Sequence, residues 1–340
     1  ITDGSTAGNE YKVTTNNSIV ELVYVDGSKG WMVTLNQAAG SAPGSVLTDG
    51  VYDTDVGFTQ ATGGTITTSG DYKIHTFTGD GTFCVSFAGN SPAFPGNPLA
   101  GPNTVSYLVL AGGGGSQNAG AACGAAAGGG GGGFREGRDI APSYTASPLV
   151  NSSGLTITAT SFPVTVGAGG ASGGGNQPNT SNNGSNSVFS TITSAGGAVP
   201  SGNGGSGGGG GTGWPPDRFN VHSGGSGNTP PVSPSQGNNG GSGGHASGGS
   251  ASGGGGGANA VGGNGSVGGG AGGNGGNGKP NQITGSDVSY AGGGGGGNNN
   301  TNAPTGGAGG GGQGGRGPQS PACTAPQSGT ANTGGGGGGS

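Results

Sequence analysis

The sequence predicts a mainly β and irregular protein, in which short antiparallel β modules precede a bundle of polyglycine-type helices (left-handed, extended, three-fold), with essentially no α-helix. Three observations carry this expectation. Of 97 glycines only 15 lie in the first 100 residues, which leaves 82 among the other 240. The unbroken every-third-residue glycine of collagen is missing: Gly128–Gly133, Gly253–Gly257, Gly292–Gly297 and Gly334–Gly339 are uninterrupted runs. A weaker period of three is present nonetheless, in Val261, Asn264 and Val267 and then in Ala271, Asn274 and Asn277; Asn203 with Ser206, Ser242 with His245, and Ser223, Ser226 and Thr229 repeat it.

Three residues per turn is the period of the extended left-handed helix, which rises about 3.1 Å per residue and has no internal hydrogen bonds. A side chain at every third residue leaves two faces bare, so backbones can touch. Their buried N–H and C=O groups must then pair with neighbouring helices. On this reading Asn, Ser and Ala mark faces turned to solvent or loops. The competing reading is a flexible Gly/Ser linker. Ordering a residue costs about 1–2 kcal/mol, with glycine at the high end, against about 1 kcal/mol net per hydrogen bond. Isolated glycine helices therefore do not hold, whereas interior helices bonded on several sides can. Compact loops rich in Pro and aromatics cut the glycine runs, and a spacer has no need of them.

Hydrophobic residues make up 27% of the 340, aromatics 5% and charged residues 6%, so a conventional core fits only part of the chain. The net charge is −5, and no basic stripe or RGG repeat is present, which disfavours nucleic acid as a partner. Cys84, Cys123 and Cys323 are far apart and lack metal-ligand spacing. Cys84 and Cys123 are expected to be buried free thiols, with a Cys123–Cys323 bridge as the alternative. No apolar run reaches the roughly 18 residues of a membrane span, and no signal peptide is read. A start at Ile1 without methionine reads as a processed or partial chain.

Three regions are expected: 1–58, a shaft-like β-meander; 59–110, a β-rich module; and 111–340, the glycine bundle, with β insertions near 155–166 and 187–193. In Tyr11–Leu35, short bursts of alternation with an Asp26-Gly27 turn predict strands of about six residues. Val46–Thr59 carries Asp49, Asp53 and Asp55, but lacks the glycine and distal Glu of a calcium loop and reads as a solvated turn. Gly63–Leu110 reads as three strands turning at Ser69-Gly70-Asp71 and Gly79-Asp80-Gly81, with Thr82–Phe87 as hairpin partner of the Tyr72–Thr78 strand; VSYLVL, 105–110, follows as one further strand. Phe134–Asn151 reads as a polar excursion, Leu155–Val166 as a strand pair bent at Phe162-Pro163, and Ser187–Thr193 as another strand. After Gly196, glycine runs alternate with loops at Trp214–His222, Thr229–Gln236, Lys279–Tyr290, Asn298–Thr305 and Pro318–Thr333.

The segments ATGGTITTSGDYKIHTFTGDGTFCVSF, VSYLVLAGGGG, LTITATSFPVTVGAGG and SNSVFSTITSAGG, in that order, resemble the glycine-rich domain at the end of bacteriophage tail-fibre proteins, particularly those of marine phages. The likeness covers about Ala61 to Gly213. YVDGSKGW is similar to β-meander modules of phage fibre shafts, and the later tract resembles the glycine-rich distal adhesins of T-even-like phages. That resemblance implies layered glycine helices forming a rigid tip whose loops contact the host surface, though this chain carries β modules and a shaft-like start of its own.

No catalytic constellation emerges. GxGxxG recurs by composition but never between a strand and a helix, and His75, His222 and His245 lack Ser/Asp partners. His75 reads as a strand-face side chain. No enzyme activity, cofactor or metal is expected. The receptor-contact candidates are Trp214, Asp217, Arg218, Phe219 and His222: flat rings for sugars or apolar patches, beside charged hydrogen-bonding groups. The competing role for Trp214, and for Tyr290, is an apolar plug over the end of the bundle. The expected function is that of a phage tail-fibre or adhesin protein, located in the virion or extracellular, that attaches to a host cell-surface receptor, either a glycan or an outer-membrane protein. The expected state is a homotrimer joined to other fibre subunits. The alternatives are a structural subunit of a secreted or cell-surface bacterial fibre and, lacking a regular Thr/Ala face, an ice-binding protein.

Overall fold

The computed structural model describes residues 19–26, 30–36, 58–70, 72–89, 103–117, 125–138, 145–173, 180–212, 221–246, 249–266, 270–299, 303–317 and 324–340. Among these the protein is mainly β and contains no α-helix. The chain divides into two compact units, Ile1–Gln60 with Ser86–Asn103, and Ala61–Val85 with Thr104–Ser340.

In the first unit Ile19–Asp26 and Gly30–Asn36 pair antiparallel, from Ile19 opposite Asn36 to Tyr24 opposite Trp31, with a bulge between Tyr24 and Asp26. Branched and aromatic residues favour this pleated pairing. The strand expected at Tyr11–Thr15, and most of Val46–Thr59, lie outside the described residues.

The second unit opens with the expected hairpin, Thr65–Ser69 against Tyr72–Thr76, turning at a left-handed Gly70 with φ of 56°. The next strand departs from expectation. Gly81–Phe87 does not return onto this hairpin; it pairs with Ser161–Thr165, placing Cys84 opposite Ser161 and Phe83 opposite Phe162. Ser161–Thr165 pairs on its other side with Ser187–Phe189, which turns into Ile192–Ser194, so the single strand expected over Ser187–Thr193 is a hairpin, reversed at Ser190 with φ of 53°. That ladder starts at Val164, so the missing N–H of Pro163 falls outside it. Side-chain packing selects the pairing: the Phe83 ring lies 6.5 Å from Phe162 and 5.9 Å from Phe189, and His75 stands edge-on to it at 5.0 Å.

Four further expectations change. Leu155–Val166 is not a strand pair, because Leu155–Thr156 joins Thr104–Val105 instead. VSYLVL is interrupted at Ser106, and Tyr107–Leu110 pairs with Phe134–Gly137. The supposed polar excursion therefore begins as the middle strand of a three-stranded sheet, with Val150–Asn151 parallel on its far side. The Lys279–Tyr290 loop is a hairpin of Lys279–Asn281 against Val288–Tyr290.

The glycine runs carry no strand or helix assignment but are buried and bonded to one another. Every N–H of Gly128–Gly133 is donated to another run: Gly129 and Gly132 to Gly337 and Gly334, Gly130 and Gly133 to Ala198 and Ala195, Gly128 and Gly131 to Gly253 and Gly256. Its carbonyls accept in the same rhythm, from Gly114 and Ala111, from Gly209 and Ser206, and, through Gly129 and Ala126, from Gly294 and Gly297. Partners thus recur at every third residue, and the run is surrounded by six others. Gly253–Gly257 is held likewise, with Gly255 donating to Gly294 and Gly256 to Gly207. A side chain at Gly129 would overlap the Gly114 carbonyl, and one at Gly255 the Gly129 carbonyl. Runs can approach this closely only without Cβ atoms.

The faces marked by side chains follow expectation in part. Ala271, Asn274 and Asn277 are exposed. Ala198, Ala251, Ser206 and Ser252 are fully buried, so alanine and serine also fill interior sites where the spacing between runs leaves room for one small group.

Candidate functional site

The hydrogen-bond register of the runs gives the second unit two distinct ends. At one, Phe134, Ala258 and Ala291 form an apolar cluster against which Leu108, Leu110, Leu149 and Tyr290 pack. Tyr290 is half-buried against this cluster. Beneath lies a buried polar set that sequence reasoning missed. The Glu136 carboxylate is 2% exposed and accepts from Asn281 Nδ2 at 2.7 Å and from the Ser147 N–H at 3.1 Å. Gln236, 1% exposed, accepts the Ala195 N–H at 2.8 Å through Oε1 and donates through Nε2 to the Pro230 carbonyl at 2.9 Å. Nothing in FREG or PSQG signals burial, because a charged or amide residue beside a turn ordinarily faces water.

At the opposite end Ala126 donates to Ser340, Gly297 to Ala126, Ser252 to Gly297 and Gln117 to Ala127. Isolated bridges join Ala251 to Asn298, Asn298 to Arg316 and Arg316 to Thr324 at this level. The run through Gly209 and Gly210, bonded to Gly128 and Gly253, also leaves here. Thr212 and Val221 then form an antiparallel bridge, closing the base of the loop that holds the receptor-contact candidates.

Of those candidates, Trp214, Asp217, Arg218 and Phe219 lie outside the described residues. His222 is exposed and held by its backbone, whose N–H donates to Gly211 at 3.0 Å and whose carbonyl accepts from Gly243 at 3.0 Å. Val221 beside it is 47% exposed. The loop is therefore anchored on both sides in bonded glycine runs, and its imidazole is open to a partner.

Several other polar side chains of the described residues bond within the fold. His75 Nδ1 is 2.8 Å from the Gly63 carbonyl, which fits a strand-face histidine. His245, expected to lack a Ser or Asp partner, has its Nδ1 3.0 Å from Ser250 Oγ because the two residues stand opposite each other in an antiparallel pair, and Asp80 accepts the Val166 N–H at 2.8 Å. Cys84 is a free thiol, half-buried rather than buried, 3.3 Å from Ser161 Oγ; Cys123 and Cys323 lie outside the described residues. Among the described residues no group of three or more His, Cys, Asp or Glu could hold a metal ion, and no helix is long and apolar enough to cross a membrane.

Neither the curated proteins nor the solved structures include a match to this chain. A family model described as a glycine-rich domain matches residues 90–340, the span holding the bonded runs and both ends. The chain belongs to this glycine-rich domain family.

Proposed function

We propose that the chain is a non-enzymatic bacteriophage tail-fibre or adhesin protein, in which a rigid polyglycine-type helix bundle presents loops to the host cell surface. The observation that carries this reading is the three-residue recurrence of the hydrogen bonds around Gly128–Gly133, with six surrounding runs. That is the bonding expected of packed three-fold extended helices. A scaffold of this kind holds the loop between Thr212 and Val221 at a fixed base. A loop whose two ends are fixed loses less entropy when a receptor binds. Trp214, Phe219 and His222 supply flat faces for a sugar ring or an apolar patch, and Arg218 and Asp217 supply charged hydrogen bonds. The protein works in the virion or outside the cell, as a homotrimer beside other fibre subunits.

The test has two arms on the purified chain. Hydrogen exchange is read peptide by peptide across 196–317. Binding of fluorescent chain is then scored on a panel of intact Gram-negative cells and on outer-membrane vesicles prepared from them. Slow exchange in the runs is expected, with binding to some members of the panel that falls about tenfold or more in Trp214→Ala and Arg218→Ala, as hot-spot residues do. Uniformly fast exchange overturns the bundle, and host contact then passes to the β modules before residue 111. Slow exchange without binding to any cell, but with filaments growing as concentration rises, replaces the adhesin by a subunit of a bacterial fibre.

A further inference from the structure

The chain contains six Asn-Gly dipeptides, at Asn183, Asn203, Asn239, Asn264, Asn274 and Asn277, and all share one arrangement. Each Asn is exposed, yet its Oδ1 accepts a backbone N–H from another segment at 2.7–3.0 Å. The N–H of the glycine that follows is also in use. Gly204, Gly265, Gly275 and Gly278 donate to the carbonyls of Ser226, Ser242, Thr305 and Ala308, the residues whose N–H groups the preceding Asn side chains accept. In these four cases the dipeptide grips one residue at two points. Gly184 and Gly240 donate instead to Gly197 and Gly225, each two residues from the residue gripped by the side chain.

Asn-Gly is also the dipeptide whose side chain is most easily attacked by its own backbone, since glycine has no Cβ to hinder the approach. The glycine nitrogen bonds to the Asn Cγ, the side-chain nitrogen leaves as ammonia, and water opens the resulting succinimide to aspartate or isoaspartate. In this structure both reacting groups are engaged elsewhere. The nitrogen has its hydrogen committed to a neighbouring carbonyl, and the carboxamide is held toward a different segment by the N–H it accepts. Attack requires both bonds to open together.

We propose that these six Asn-Gly dipeptides are deamidation sites kept silent by the bonding between runs, and that they become reactive where that bonding opens. Exposure alone predicts the reverse, because all six side chains face solvent. The purified chain is incubated at mildly alkaline pH with and without concentrated guanidinium, and each site is followed by the mass gain of amide-to-acid conversion in proteolytic peptides. A synthetic peptide covering 272–280 serves as the unprotected rate standard. The expected result is conversion at the peptide's rate in guanidinium and tenfold or more slower in native buffer, a factor equivalent to about 1.4 kcal/mol of opening cost. Equal rates in the two conditions overturn the proposal, even if hydrogen exchange shows the runs to be ordered. A second arm isolates the grip itself. Ala308→Pro removes the N–H accepted by Asn277, and Thr305→Pro that accepted by Asn274. Each is expected to speed its own site and leave the distant ones slow, with peptide-resolved hydrogen exchange verifying the fold. A correctly folded variant whose paired Asn stays as slow as before overturns the grip as the cause.

Discussion

Replacing Gly255 by alanine tests whether touching backbones hold the second unit together. Gly255 is buried; its N–H donates to Gly294 at 2.8 Å and its carbonyl accepts from Gly276 at 2.9 Å. The new methyl would overlap the carbonyl of Gly129, which itself accepts the Gly294 N–H at 2.9 Å. Relief requires displacing a run bonded on all sides. Overpacking of this kind costs about 1–3 kcal/mol, and a buried amide that loses its acceptor costs about 1–3 kcal/mol more. Gly255→Ala is therefore expected to lose about 2–6 kcal/mol, a large share of a typical stability of about 5–15 kcal/mol. Gly169 is the control: it is exposed and outside the positive-φ region, and a methyl at its Cα would meet nothing nearer than the Gly113 carbonyl at 3.9 Å. Gly169→Ala is expected to be neutral or to gain about 0.4–1 kcal/mol through a less flexible unfolded chain. Guanidinium unfolding followed by circular dichroism measures both. A Gly255→Ala variant within about 0.5 kcal/mol of the parent, the range of innocuous surface changes, would refute the close-contact reasoning.

Substitutions at two further positions address the polar groups near the apolar end. Glu136→Ala leaves Asn281 Nδ2 and the Ser147 N–H without their acceptor and is expected to cost about 2–5 kcal/mol in thermal or guanidinium unfolding. Glu136→Gln, which keeps one acceptor oxygen, is expected to lose less than half of that. Asn228 Oδ1 accepts the N–H groups of both Val232 and Gln236, so Asn228→Ala is expected to cost about 1–2 kcal/mol and to speed amide exchange at 229–236 while leaving Gly128–Gly133 slow. Unchanged exchange in that loop would remove Asn228 as its organiser.

Local structure was legible wherever a few adjacent residues decide it. Ser69-Gly70 turns the Thr65–Thr76 hairpin because glycine tolerates the left-handed conformation required there. Alternation with β-branched residues marks Ile19–Asp26 and Gly30–Asn36 as strands. The candidate loop was legible as a break of aromatic and charged residues in glycine, though the structure describes only its anchored base and His222. Partners were not legible. Thr82–Phe87 reads as the return strand of a hairpin, yet one of its two neighbours in the sheet, Ser161–Thr165, lies 77 residues away, from Cys84 to Ser161. The burial of Glu136 depends on Asn281, 145 residues distant.

By itself the sequence determined that the glycine region has bare faces, that its side chains recur by threes, and that no ordinary core can fill it, because these follow from side-chain size and spacing alone. Only the tertiary structure decided which run lies beside which. A glycine backbone offers every neighbour the same N–H and C=O, so a run carries almost no address of its own. The choice falls to the few residues that interrupt it: the Asn side chains that reach across exposed edges, the alanines and serines that fit interior gaps, and the Phe134 cluster that closes one end.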